Sequence, residues 1–392
     1  MGLPGTKVVI LNGALGASSG SDYGIPGLIV SGIAVAQKID LLEPKQIFSL
    51  NEAKDLGLNE AYDTDNSLQV YRQIKEFYDE AGSGQELWIM LVSQTVTMAD
   101  VVDKTEDTYA KKLLIAAQNK IRLLAVSRVP DGTYVPTITE GLDDDVFSAM
   151  NNAQLLGEEL AADNKPIRTL LEGRAFDDTP ANLKDLKTES NNRVAIMIGG
   201  SKNDGSCSIG TLLGRLAADP LRRNPGRVLS GSLALQQAFV GSLDVDTSEN
   251  QIGAIHDKGY ISLRRHDGKA GYFFTDAPTA TANTDDYSTL PPARVIDAAA
   301  LIAFRTFDEF VLDEVEVDDN GYLSAAIVKS WESEIETAVL NEIGAEMSNF
   351  EPFINPRQNV LSVSDIAVQL EVTPVGYARS FTVELGFKNP FN

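Results

Sequence analysis

The stretch with the most chemical promise runs from Arg193 to Cys207. A strand-like run, Arg193-Val194-Ala195-Ile196-Met197-Ile198, enters Gly199-Gly200 and then Ser201-Lys202-Asn203-Asp204-Gly205-Ser206-Cys207, ahead of a helical pattern at 209–216. Strand, glycine loop and helix are the order a phosphate site uses, because backbone amides at a helix amino terminus can wrap an anion. Gly200 and Gly205 match the glycine spacing of a phosphate-binding loop. Ser206 and Cys207, however, stand where that loop needs Lys and Ser or Thr for the phosphates and magnesium. The pattern fits an ordinary strand-to-helix turn better, with a nucleotide-binding α/β enzyme as the alternative. Cys207 beside a helix start could be an activated thiol, although a lone cysteine is more often a packing residue.

Other chemistry is thinner. Glu316, Asp318, Asn320 and Gly321 resemble the start of a calcium loop, but its twelfth position is Ile327 where a bidentate carboxylate belongs. Asn320-Gly321 reads as a turn, and the seven acids between Asp308 and Asp319 as a solvated face or a surface for a basic partner. His256 and His266 lie in no metal or nucleophile motif. Arg215, Arg222, Arg223 and Arg227 form the one strong basic cluster, suited to local ion pairs or to an acidic neighbour such as a second copy of the chain. No catalytic residue, cofactor or metal site is expected.

The elements that carry these residues alternate. Apolar runs at 28–35, 46–50, 87–92, 121–129, 167–171 and 194–198 are separated by helical periodicity, as at 68–78, where Leu68, Tyr71, Ile74, Phe77 and Tyr78 share a face, and at 146–161. Buried strands joined by helices predict an α/β body with a mixed or parallel sheet. After Pro220 the pattern loosens. Tyr260 to Leu263 and Gly271 to Phe274 flank His266-Asp267-Gly268-Lys269, a hairpin with Asp-Gly at its turn.

Pro291-Pro292 then opens a long helix, and 324–343 forms a second, amphipathic through Ile327, Trp331, Ile335, Val339 and Ile343; the two are expected to pack together. Two alternating strands close the chain, Ile366-Val368-Leu370-Val372 and Phe381-Val383-Leu385-Phe387, around Pro374-Val375-Gly376. This predicts an amino-terminal arm at 1–24, an α/β body at 25–275 open to subdivision near 220, and an α+β carboxyl-terminal domain at 276–392 with a terminal strand arm. The short run Val8 to Leu11 on a Gly, Ala and Ser tether at 13–24 has too few contacts of its own to offset its ordering entropy, so it needs a sheet edge.

A chain of 392 residues can bury sizeable cores, and its 43% hydrophobic and 23% charged content is ordinary globular usage. With 56 acidic and 33 basic residues the net charge is −23, which repels nucleic acid and anionic lipid surfaces. The single cysteine excludes an intrachain disulfide, and the amino terminus lacks the basic start and apolar run of a secretory signal. The apolar runs are far shorter than the roughly 20 residues a bilayer-spanning helix needs, so direct membrane insertion is not expected.

Taken from end to end, the loose first strand, the α/β body, the passage Tyr287-Ser288-Thr289-Leu290-Pro291-Pro292-Ala293-Arg294-Val295-Ile296-Asp297, the second helix ending near Gly344 and the closing strands resemble the contractile tail sheath proteins of phages. The pattern is most similar to a sheath-like family of Bacteroidetes phages, prophages and related contractile injection systems. The resemblance spans essentially the whole chain, is sharpest over 271–303 and 365–387, and rests on no single short motif. It implies a structural subunit and no enzyme, self-assembling into rings, usually hexameric, stacked helically around an inner tail tube and contracting without nucleotide hydrolysis. It implies baseplate and terminator proteins as further partners, assembly in the bacterial cytoplasm, and residence in a virion tail or injection particle. It also implies that terminal arms add strands to neighbouring subunits. The donors would be Thr6, Val8, Val9, Ile10 and Leu11 at one end and Phe381, Val383, Leu385 and Phe387 at the other. A non-contracting tail component such as a baseplate or terminator protein is the alternative within that class.

Overall fold

A computed structural model describes residues 23–363, 366–380, 382–383 and 385–386 of the chain. Its central sheet has six strands: β1 (Ile25–Ser31), β2 (Lys45–Ile47), β3 (Leu87–Val92), β4 (Ile121–Ser127), β5 (Arg168–Glu172) and β6 (Val194–Met197), in the order β2-β3-β1-β4-β5-β6. Only β2 runs antiparallel to its neighbour. Leu28 at the centre pairs with Ile89 on one side and Ala125 on the other. Every residue of β1 is buried, as the unbroken apolar runs require of a sheet covered on both faces. The α/β body with a mixed, mainly parallel sheet is therefore present.

Among the helices of this body are α1 (Val70–Ala81), α2 (Asp144–Ala162) and α3 (Ile209–Ala218). Where α1 meets α3 there is no room for side chains. A methyl on Gly210 would lie 2.1 Å from the Gln73 carbonyl oxygen, and one on Gly214 would lie 2.4 Å from that of Phe77. Glycine at i and i+4 lets the two backbones touch. The hairpin forms as expected, β7 (Leu263–Arg264) pairing antiparallel with β8 (Phe273–Phe274), and Gly268 takes a φ of +70° at the turn.

The chain divides into two compact units, one ending at Arg305 and the other beginning at Thr306, beyond the boundary the sequence places at 275/276. The reason lies in α4 (Leu290–Asp308), whose Leu290, Ala293, Val295, Ala298 and Ile302 are buried and whose Asp297 is ion-paired to Arg168 and Arg193 of the body. The long helix expected in the carboxyl-terminal domain thus belongs mostly to the first unit.

In the second unit α5 (Ala325–Ile343) is capped by the Ser324 hydroxyl, which accepts the Ile327 N–H. Its Val328 and Trp331 pack with Ile354 of β9 (Met347–Ile354), and the Glu332 carboxylate accepts the Ile354 N–H at 2.9 Å. Antiparallel to β9 runs β10 (Val368–Pro374), with Phe350 opposite Val372 and Pro352 opposite Leu370. Of the two strands expected around Pro374-Val375-Gly376 the first is β10, and its partner is β9, which the sequence reading did not place. Pro352 hides β9 from a sequence reading, because proline argues against a strand unless its missing N–H faces an edge.

Candidate functional site

In a sheet whose parallel strands run β3-β1-β4-β5-β6, small ligands bind outside the carboxyl ends at the point where the winding reverses, between β1 and β4. Here the residues after β4 are committed to one another. Arg128 donates to Asp145 of α2 at 2.7 Å, both side chains being buried, and Asp145 also accepts the N–H groups of Met98 and Ala99. The Tyr134 ring lies 4.2 Å from the Arg128 guanidinium, and its hydroxyl donates to Asp143, which Arg174 also holds. These bonds lock a loop together and turn the Arg128, Asp143, Asp145 and Arg174 charges on one another.

The glycine loop from β6 into α3 is likewise closed on itself. A side chain on Gly200 would meet the Ser206 carbonyl at 2.6 Å, while Ser208 donates its N–H to Gly199 and accepts that of Ser201. Gln73 of α1 accepts the Gly210 N–H at 2.8 Å and donates to the Cys207 carbonyl at 2.7 Å; Arg72 donates to Ser206 and to that same carbonyl. The Gly200, Ser201, Ser206, Ser208 and Gly210 amides are thus spent on the protein. Cys207 is fully buried, donates its thiol to the Met197 carbonyl, and is pushed well above the ordinary thiol range, first by burial and then by the nearby Glu172 carboxylate. It packs, and the activated-thiol reading is set aside.

Glu172 closes the same polar cluster at the end of β5. It is buried, Ser127 donates to it at 2.5 Å, and burial raises its carboxyl to about 7 against the partial relief of Ser127, Arg174, Arg72 and the Arg128 N–H. Between the ordinary value of 4.5 and about 7 the folded chain therefore holds a proton that the unfolded chain has released. Unfolding free energy must fall as pH rises through that window. Glu172→Gln is expected to match the parent at about pH 5 and exceed its stability by about 2–3 kcal/mol at about pH 8. Urea midpoints at the two pH values test this, and an equal difference at both would refute it.

His256 is part-buried in the helix Glu249–Asp257 and His266 lies edge-on to Phe273; burial lowers both. Asp318 accepts the N–H groups of Asn320 and Tyr322, so the calcium-like segment is the expected turn. Among the described residues no group of three or more His, Cys, Asp or Glu is placed to hold a metal ion. Of the basic cluster, Arg215 turns inward, 2.8 Å from Glu80 of α1, with further bonds to the Ser230 and Ser232 carbonyls. Arg223 pairs with Asp219, Arg222 is part-buried, and Arg227 is exposed near Ser230.

The remaining candidates are edges. In the two-stranded sheet β9–β10 each strand has one side without a strand partner among the described residues. Thr6, Val8, Val9, Ile10 and Leu11 lie outside the described residues, as do Phe381 and Phe387. Val383 and Leu385 are described: they belong to no strand of this chain and are 81% and 96% exposed. Sequence reading missed Gln73 and Asp297. A lone acid in the apolar stretch 290–303 and a lone Arg168 in a buried strand were the readable signal, since each needs a partner.

The family model for the DUF2586 N-terminal domain matches residues 3–278, well over half of the chain. The chain belongs to the DUF2586 family. No curated protein matches it. The helical sheath of the anti-feeding prophage in its contracted state is similar at a TM-score of 0.61 and 14% identity, over 98% of this chain and 99% of that one. The sheath complex of an extracellular contractile injection system, also contracted, gives 0.60 and 13% over 98% of each. A chain from the anti-feeding prophage baseplate gives 0.62 and 13% over 99% of each. Over its described residues this DUF2586 protein has the fold of contractile sheath proteins. Among its described residues no helix is long and apolar enough to cross a membrane.

Proposed function

We propose that this DUF2586 protein is the structural subunit of a contractile tail sheath, assembling with copies of itself into stacked rings around an inner tube. The observation that carries the reading is end-to-end likeness to sheath subunits, with almost nothing left over on either chain. The open sides of β9 and β10 support the joint: an added strand gains main-chain hydrogen bonds of about 0.5–1.5 kcal/mol each, largely independent of its sequence, while alternate side chains fill pockets. Exposed Val383 and Leu385 are the apolar alternation such a donor needs. Contraction would draw on a metastable extended lattice that reaches a better-buried one, with no nucleotide consumed.

Electron microscopy of the purified chain with its tube protein should show rings or striated tubes. Deleting residues 1–12 should leave the monomer's unfolding midpoint unchanged and remove nearly all sedimentable polymer. Normal polymer from the deleted chain would reject the amino-terminal donor, and a chain that stays monomeric beside tube and baseplate would reject the sheath reading. The baseplate likeness favours a second reading, a non-contracting tail component, which would cap tubes without lengthening them.

A further inference from the structure

We infer that Tyr23 and Arg305 form an anchor at the root of the amino-terminal arm, diverting a pull on that arm from the central strand β1 into helix α4. The inference rests on the sheath reading for the origin of the pull and on geometry for the anchor itself. Tyr23 stands two residues before β1, yet it is 8% exposed. The Arg305 guanidinium donates to the Tyr23 hydroxyl and lies 5.6 Å from the ring centroid, so one side chain holds both the polar tip and the aromatic face.

The start of β1 is a weak place to hang a load. Pro26 has no N–H to give the ladder, and the pairing with β4 slips register between Ile25 and Pro26. Tension reaching Ile25 directly would open the sheet at its middle strand. Arg305, by contrast, occupies the last turn of α4, where a cation is favoured by the helix dipole. Asp297 of the same helix is held by Arg168 and Arg193. A load entering at Tyr23 therefore passes along a hydrogen-bonded helix to a buried ion pair.

The test uses the full chain with Arg305→Ala, Arg305→Lys and Tyr23→Phe. Hydrogen exchange of the unassembled protein should quicken about tenfold over residues 23–25 in Arg305→Ala, with 87–92 and 121–127 unchanged. Arg305→Lys, which keeps the donor and the charge, should restore most of the protection, and Tyr23→Phe should fall between. Assemblies of Arg305→Ala should shed subunits several-fold faster than the parent in dilute urea that leaves the monomer folded. Unchanged exchange at 23–25, or faster exchange spread evenly across the sheet, would overturn the anchor. If the parent forms no assemblies the sheath reading fails, while the exchange comparison still decides the anchor.

Discussion

Asp297→Ala is expected to destabilise the first unit by about 3–5 kcal/mol, the usual cost of orphaning one partner of a buried ion pair. Asp297 accepts two bonds from Arg168, from Nε at 2.6 Å and Nη2 at 3.0 Å, and a longer one from Arg193 at 3.4 Å. The Arg168 side chain is 3% exposed and starts from strand β5, so it cannot swing out to water without breaking the sheet. Its other bonds, to the Asn192 and Ala293 carbonyls, hold the guanidinium in place but do not neutralise it. Asp297→Asn keeps an acceptor and should cost less than alanine, and Arg168→Met with Asp297→Leu should recover most of the loss. Urea unfolding followed at Trp88 in β3 reads the first unit, and a loss under about 1 kcal/mol for Asp297→Ala would rule the account out.

Gly210→Ala should destabilise by more than the ~1–3 kcal/mol usual for an inserted methyl. The new carbon would lie 2.1 Å from a main-chain carbonyl oxygen of α1, and backbone cannot step aside as a side chain can. The only relief is to part α1 from α3, which breaks the Gln73 bonds to Gly210 and Cys207 and exposes the buried faces of Ile74, Phe77, Leu213 and Leu216. In a solvated helix the same change would stabilise by about 1 kcal/mol, so the sign itself is diagnostic. Gly253→Ala, in a helix with nothing near its Cβ position, is the control and should be neutral or mildly stabilising. Thermal unfolding of the two variants decides the matter: equal midpoints would refute the close approach.

Much of the architecture could be read along the chain because local pattern and burial coincide. The runs at 87–92, 121–129 and 194–198 are β3, β4 and β6 to within a residue or two, since strands buried on both faces leave an uninterrupted apolar signature. Ser324 before an amphipathic run and Pro291-Pro292 at a helix start mark ends by backbone chemistry that needs no tertiary partner. The mismatch of Ser206 and Cys207 with a phosphate loop was also legible, because that chemistry depends on residue type at fixed spacing.

What stayed hidden depends on who stands beside whom. Strand β9 carries Pro352, so nothing local announces it; pairing with β10 and packing on α5 make it a strand. The same holds for the boundary at Arg305: α4 looks alike whichever unit it joins, and only the Asp297 ion pair and the buried faces of Leu290 to Ile302 assign its first half. Arg215 reads equally as a local ion pair or as a contact for an acidic neighbour until Glu80 is found 2.8 Å away. By itself, then, the sequence determined most strands and helices of the α/β body, the acidic balance and the lack of a complete nucleotide motif, all set by residue type and period. Tertiary structure decided which helix belongs to which unit, which charges are internal, and which strand edges lack a partner among the described residues, because those depend on contacts between residues far apart in the chain.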